Sequence, residues 1–278
     1  MPRVPVIVES ATDSRIANYQ NLPGRKPQKQ HFIAEGMWLL ERLAKSRFEI
    51  HSVLTTSKRI DKVTTLADSH DVPEDVPIYV APAADVDEIV GYQFHRGVMA
   101  CGIRNSAATM EELTAMPDSL SSLDRRIVVV CPKIANETNL GSILRVATAF
   151  GASGLLLGGE SADPFSRRAL RVAMGATLTL PVRVSDCLND DLAWLQASGF
   201  ETVGAALDQV AVPAGQMTSV IRGPDVALLI GPEDFGLSQP MIDGCDHLVT
   251  IPMHHDTDSL NVAMATGILL HELRRTQS

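Results

Sequence analysis

An apolar run of strand length, Val226-Ala-Leu-Leu-Ile230, breaks off into Gly231-Pro-Glu-Asp-Phe-Gly-Leu-Ser238. A second run, His247-Leu-Val-Thr-Ile251, breaks off into Pro252-Met253. Strands ending this way predict two loops side by side at the carboxyl edge of one sheet, where open α/β sheets bind ligands. Gly231 and Gly236 let main chain approach a ligand that a side chain would hold off. The stretch therefore reads as a binding site built largely from backbone. Its two glycines have the G-x-x-x-x-G spacing of a phosphate loop, but Leu237 stands where that loop needs lysine. The chain has neither a G-x-G-x-x-G dinucleotide fingerprint nor a G-x-S-x-G nucleophile elbow. His254, His255, Asp256 and Asp258 are metal-ligating types, yet neighbours in one loop rarely converge on a single ion, so they read as exposed loop polars.

Four other side chains have the chemistry of a site without the context of one. Taken singly, Asn139 and Ser259 read as helix N-caps. Arg145 reads as a solvent-facing helix residue, and Glu233 as a turn carboxylate.

The elements that must position these residues follow from hydrophobic periodicity. Residues 1–20 read as polar and partly irregular. Strands are predicted at 50–54, 77–80 and 97–103, and helices at 37–44, 60–69 and 86–90. A connector follows, with one short helix near 111–115. From residue 126 the alternation restarts, with strands at 127–131, 154–157, 181–184, 202–206, 226–230 and 247–251. Helices are expected at 139–150, with Asn139 as its cap, and at 164–174, 192–197 and 259–275. Apolar strands alternating with helices imply a mostly parallel sheet covered on both faces. The predicted organisation is an α/β domain over 1–105, a linker over 106–123 and a larger α/β domain over 124–278.

Composition narrows the class. The chain has 278 residues, 45% hydrophobic and 21% charged, as in ordinary globular proteins. No apolar run reaches the ~18 residues a membrane span needs, and the first residues lack a signal-peptide pattern. Cys101, Cys131, Cys187 and Cys245 lie far apart, which reads as reduced thiols in a cytoplasmic protein. The net charge of −9 argues against strong indiscriminate binding to nucleic acid. Residues 1–62 nevertheless hold 11 Lys/Arg against 6 Asp/Glu, including Arg25, Lys26 and Lys29. A second basic cluster, Arg167, Arg168 and Arg171, falls on one predicted helix.

In combination, three ordered patches resemble the signature motifs of the SpoU/TrmH family of RNA ribose 2′-O-methyltransferases. They are Asn139-Leu-Gly-Ser-Ile-Leu-Arg145, Gly231-Pro-Glu-Asp-Phe-Gly-Leu-Ser238, and Ile251-Pro-Met253 with Ser259-Leu-Asn-Val-Ala263. Residues 13–103 resemble, more loosely, the RNA-binding domain of ribosomal-protein type that many members carry in front. Two positions depart from the family pattern: Ala173 stands where serine is common, and the loop before Asn139 is longer than usual.

The resemblance implies a deep trefoil knot in the carboxyl-terminal domain, a homodimer formed through it, and S-adenosylmethionine as cofactor. Leu229, Ile230, Gly231, Gly236, Ile251, Met253 and Leu260 would line the cofactor site. Arg145 would orient a phosphate and stabilise the alkoxide developing on a ribose 2′-oxygen; Asn139 would position that hydroxyl or Arg145, and Glu233 would pair with the arginine or anchor its loop. Ser259 and Asn261 would shape the transfer pocket. Arg25, Lys26, Lys29, Arg167, Arg168 and Arg171 would contact ribosomal or transfer RNA. Two alternatives remain beside this reading: a non-catalytic RNA-binding assembly factor that keeps the fold, and transfer to a base rather than a ribose.

Overall fold

A computed structural model describes residues 4–24, 28–104, 107–118, 120–121, 124–208, 210–232, 234–253 and 259–275. The chain opens with β1 (Val6–Ile7), β2 (His31–Glu35), α1 (Met37–Ala44) and β3 (Ile50–Thr56). Next come α2 (Ile60–Ser69), β4 (Ile78–Ala81), α3 (Ala83–Val90) and β5 (Val98–Ile103). It continues through α4 (Met110–Thr114), β6 (Ile127–Cys131), α5 (Glu137–Ala149), β7 (Gly154–Gly158) and α6 (Arg167–Val172). After these follow β8 (Val182–Ser185), α7 (Leu188–Ala197), β9 (Glu201–Ala205) and β10 (Val212–Pro213). The last are β11 (Val226–Ile230), α8 (Gln239–Asp243), β12 (His247–Thr250) and α9 (Val262–Arg274). They form two compact units, one of residues 1–106 with Phe165–Thr179, the other of 107–164 with 180–278.

The first unit is a five-stranded sheet in the order β1-β4-β3-β5-β2, parallel from β1 to β3 and antiparallel beyond. Alternating side chains of β2 and β5 feed a separate core on each face. Phe32, Ala34 and Ala100 pack with α1 and α2, whereas Ile33, Met99 and Cys101 pack with α3. The opening residues are less irregular than their polarity suggested. A 3₁₀ turn, Ser14–Tyr19, buries Ile16 and Tyr19 completely, and the Tyr19 hydroxyl meets Ser52 Oγ at 2.8 Å. Strand β2 was also not expected from the sequence, which left Phe32 to Gly36 as a lead-in to α1.

Helix α6 packs within this first unit. It starts at Arg167 rather than Pro164, because the Ser166 side chain accepts from Ala169 N at 3.2 Å and so caps it. Leu170 and Leu178 join the Phe32 core, and Phe165 packs at ring-centroid distances of 5.1 Å from Phe32 and 5.3 Å from Phe48.

The second unit is a seven-stranded, all-parallel sheet in the order β10-β12-β9-β11-β6-β7-β8. All residues of β6, β7 and β11 are buried, as the unbroken apolar runs required. Strands β11 and β12 are not neighbours, since β9 lies between them. Their loops therefore flank the end of a third strand instead of touching directly.

Helices α5 and α9 lie side by side, running in the same direction, and are fastened at both ends. At the amino ends, Asn261 Nδ2 donates to Asn139 Oδ1 at 3.1 Å. At the carboxyl ends, the Arg274 guanidinium donates to the carbonyls of Phe150 at 2.8 Å, Arg125 at 2.5 Å and Gly151 at 2.5 Å. Phe150 is the cap residue of α5 and Gly151 follows it, so the guanidinium sits just past that helix's negative dipole end while satisfying backbone carbonyls. Along the shared seam Gly267 faces Val146: a Cβ placed there would lie 3.4 Å from Val146 Cγ1, about van der Waals contact.

Replacing Arg274 with alanine strands three carbonyls at once. Hydrogen bonds to charged groups contribute about 1.5–3 kcal/mol. Arg274→Ala is therefore expected to lower unfolding stability by about 2 kcal/mol or more, read from the urea midpoint at unchanged slope.

Candidate active site

A cavity of about 500 Å³ opens at the carboxyl ends of β9, β11 and β12, within the ~300–1,000 Å³ typical of small-molecule sites. Ala205, Ala206 and Leu207 line it after β9, and Ile230, Gly231 and Gly236 after β11. Ile251 and Met253 line it after β12, and Ser259 and Leu260 close it ahead of α9. Apolar side chains dominate the walls, with Asp234, Thr250 and Ser259 adding polar ones to the main-chain amides and carbonyls. Such walls suit a flat heteroaromatic ring held edge-on by backbone.

Gly231 sits where the loop after β11 folds back on itself. A Cβ there would stand 2.3 Å from the Gly236 carbonyl carbon and 2.4 Å from Leu237 N. Only glycine permits that closeness. Gly236 turns the chain at φ +64°, and its N–H donates to Pro232 O at 3.0 Å. The resulting loop is held from beneath: Leu237 is buried in the core with Phe200, Leu229 and Met241, and Cys245 is packed against it. Burial pushes the Cys245 thiol up to about 11 and the Cys131 thiol up to about 12. At neutral pH both are protonated and inert as nucleophiles.

Asn261 brings a second group of residues to this edge. Its Oδ1 accepts from Ala263 N at 3.1 Å, capping α9, while its Nδ2 reaches Asn139. The first and last of the three sequence patches are thus joined by one side-chain amide pair, immediately after Leu260 in the cavity wall. The cap of α5 is Asn136, not Asn139: its Oδ1 accepts from Thr138 N at 2.8 Å and Asn139 N at 3.3 Å. Asn139 is left to bond across to α9. Ser259 likewise precedes, rather than caps, its helix, whose cap is Asn261.

Residues 126–271 match the SpoU rRNA Methylase family. The chain belongs to the SpoU family. A tRNA/rRNA methyltransferase of Mycobacterium tuberculosis is 30% identical over 272 residues, covering 95% of this chain and 90% of that one. The 23S rRNA (guanosine-2′-O-)-methyltransferase RlmB of Acinetobacter baylyi is 27% identical over 219 residues, covering 78% and 84%. Among solved structures, an AdoMet-bound rRNA methyltransferase from Sinorhizobium meliloti superposes with a TM-score of 0.78 at 25% identity, covering 97% of each chain. The SpoU methyltransferase AviRb of Streptomyces viridochromogenes shares the fold, with a TM-score of 0.75 at 23% identity over 95% and 97% of the two chains.

Within this SpoU chain, six of the seven residues expected around a cofactor line the cavity: Ile230, Gly231, Gly236, Ile251, Met253 and Leu260. Leu229 does not. It is 1% exposed and points into the core with Leu156 and Phe200, because successive residues of a strand face opposite ways. Arg145 is exposed on α5, lies outside the lining of its own chain's cavity, and bonds to no other described residue. Glu233, Arg25 and Lys26 lie outside the described residues, as do His254, His255, Asp256 and Asp258.

Of the expected RNA contacts, Lys29, Arg168 and Arg171 are exposed. Arg167 is engaged within the first unit. It pairs with the buried Glu35 at 2.7 Å and stacks over Tyr92 at 5.0 Å. Glu35 is 5% exposed, so this pairing supplies a buried carboxylate with its counter-charge while the Arg167 side chain stays partly exposed. The sequence reading missed Ala205 to Leu207. Their only signal is the small-residue run Gly204-Ala-Ala206 closing a strand-like stretch.

Gly231→Ala forces a methyl group against the Gly236–Leu237 peptide. The substitution is expected to cost roughly 1–3 kcal/mol, as for other overpacking. The check is urea unfolding of the variant, and a change under a few tenths of a kcal/mol would show that the loop yields freely.

Proposed function

We propose that this SpoU methyltransferase transfers a methyl group from S-adenosylmethionine to a ribose 2′-hydroxyl of ribosomal or transfer RNA in the cytoplasm. The observation that carries the proposal is the Asn139–Asn261 bond, which gathers the first and third motifs at the rim of the cavity formed by the second and third. Likeness to RlmB, whose name specifies guanosine-2′-O transfer, supports ribose over base. The Sinorhizobium meliloti neighbour, solved with AdoMet, supports the cofactor.

The cavity fits that cofactor by its own chemistry. Apolar walls from Ile230, Ile251 and Leu260 suit an adenine ring, and the glycine-permitted fold-back at Gly231 exposes main-chain groups to hydrogen-bond its edge. When bound, S-adenosylmethionine supplies an electrophilic methyl on a sulfonium. The chain's own part is alignment and charge stabilisation. A guanidinium stays protonated near neutrality, so Arg145 orients the neighbouring phosphate and stabilises the developing alkoxide rather than removing the proton. Asn139, held by Asn261, fixes the position of the substrate sugar.

Arg145 stands apart from the cavity of its own chain, which supports a homodimer in which each guanidinium serves the other subunit. Exposed Met264 and Ile268, one turn apart on α9, offer an apolar face for that contact at 66% and 39% exposure. A trefoil knot formed by the strands and loops after β9 belongs to the same reading. So does RNA binding by the first unit, with Lys29, Arg168 and Arg171 on phosphates.

Wild-type protein is expected to transfer tritiated methyl to unmodified ribosomal or transfer RNA and to leave 2′-O-methyl nucleosides on mass-spectrometric mapping. In Arg145→Ala the rate should fall about 10²–10³-fold, the usual size of an oxyanion-stabilising contact. Cofactor affinity, measured by calorimetry, should be unchanged. Base-methylated products would refute ribose transfer, and an unchanged rate would remove Arg145 from the mechanism.

A further inference from the structure

Outside the candidate active site, three potential metal ligands on three adjacent strands of the first unit converge: His31 on β2, Cys101 on β5 and His51 on β3. One ring nitrogen from each histidine and the Cys101 sulfur all lie within 4.8 Å of one another. The two imidazoles meet edge to face, with centroids 4.9 Å apart. Cys101 is fully buried, His31 half-buried and His51 exposed, so the cluster runs from the sheet surface to the solvent.

An irregularity in β3 brings the third member in. Ile50 pairs with Gly102 and Ser52 with Cys101, so one extra residue, His51, is accommodated between successive pairs. Ile50 and Val53 enter the core on one face, while Ser52 bonds to Tyr19 of the core on the other. The bulge thereby brings His51 to the face that carries Cys101. Bulges commonly re-aim a side chain in this way. Ser52 Oγ lies 3.1 Å from His51 Nδ1 and 2.8 Å from the Tyr19 hydroxyl. A hydrogen bond to one ring nitrogen is how metal-binding proteins orient imidazole so that the other nitrogen can ligate.

We propose that His31, His51 and Cys101 bind a zinc ion, with water in the fourth position. One thiolate and two imidazoles form a borderline-soft donor set that favours zinc over magnesium or calcium, which take oxygen ligands. Zinc–sulfur and zinc–nitrogen bonds of about 2.3 Å and 2.0–2.1 Å place tetrahedral ligand atoms roughly 3.4–3.6 Å apart. On binding, the Cys101 thiol releases its proton to solvent as the sulfur–zinc bond forms. The ion would tie the edge strand β2 to β3 across β5.

The test uses the full chain and zinc chloride in calorimetry, with cobalt(II) as the spectroscopic probe. One zinc per chain is expected, with proton release and a thiolate-to-cobalt charge-transfer band. His51→Gln and His31→Gln should each weaken zinc binding by at least the ~10–100-fold that losing an outer-shell partner costs. Cys101→Ser should abolish the band; the two histidine variants are more exposed and decide the matter if the buried substitution impairs folding. Absence of zinc binding would overturn the proposal. So would full affinity in both histidine variants, which would place the ion elsewhere.

Discussion

The arrangement of the second unit depends on two helices that cannot slide past each other. Asn261 and Asn139 fix α9 to α5 at one end, and Arg274 fixes it to the carbonyls of Phe150 and Gly151 just past α5 at the other. These contacts bridge segments more than a hundred residues apart. Because Ser259 and Leu260 lead directly into α9, the same ties determine where the final wall of the cavity stands. A packed pair held at both ends resists both rotation and translation, and a site placed on it inherits that rigidity.

The cavity has mainly apolar walls, with Asp234 the charged residue among its described lining. Its narrowest feature exists because two stretches of one loop approach more closely than any side chain allows. Backbone amides and carbonyls carry no residue signature, so in the sequence only the glycines that permit such a close approach leave a trace.

Much of the fold was legible because its signals are local. The valine-rich β6 and the run Val226–Ile230 read as buried parallel strands, and they are buried along their whole length. Helices α1 and α2 fall where periodicity placed them. What escaped the sequence depends on distant partners. Strand β2 is a strand only because β5 lies beside it, and the turn Ser14–Tyr19 is ordered because Tyr19 finds Ser52. Nor do spacing rules show that β9 would insert between β11 and β12. In the candidate site the glycines and small residues were readable, since their role follows from chain geometry. The side chain of Leu229 faces the core, as strand alternation beside Ile230 requires. The choice between Asn136 and Asn139 as cap turned on three residues of register, and the cross-helix bond of Asn139 could not be read from either helix alone. Asn261 shows why an amide stands there: serine or aspartate would cap α9 equally well, but neither offers an N–H to Asn139 Oδ1 while its own oxygen accepts from Ala263.

The placement of α9 also has a temporal consequence. It is the last described element to leave the ribosome, yet Leu260, Val262, Ala265 and Leu269 form part of the cavity wall. Until this segment emerges and docks, the sheet edge lacks one side of its pocket, and a nascent chain has nowhere to retain a small molecule. The cavity is therefore completed only when the segment made last among the described residues has docked.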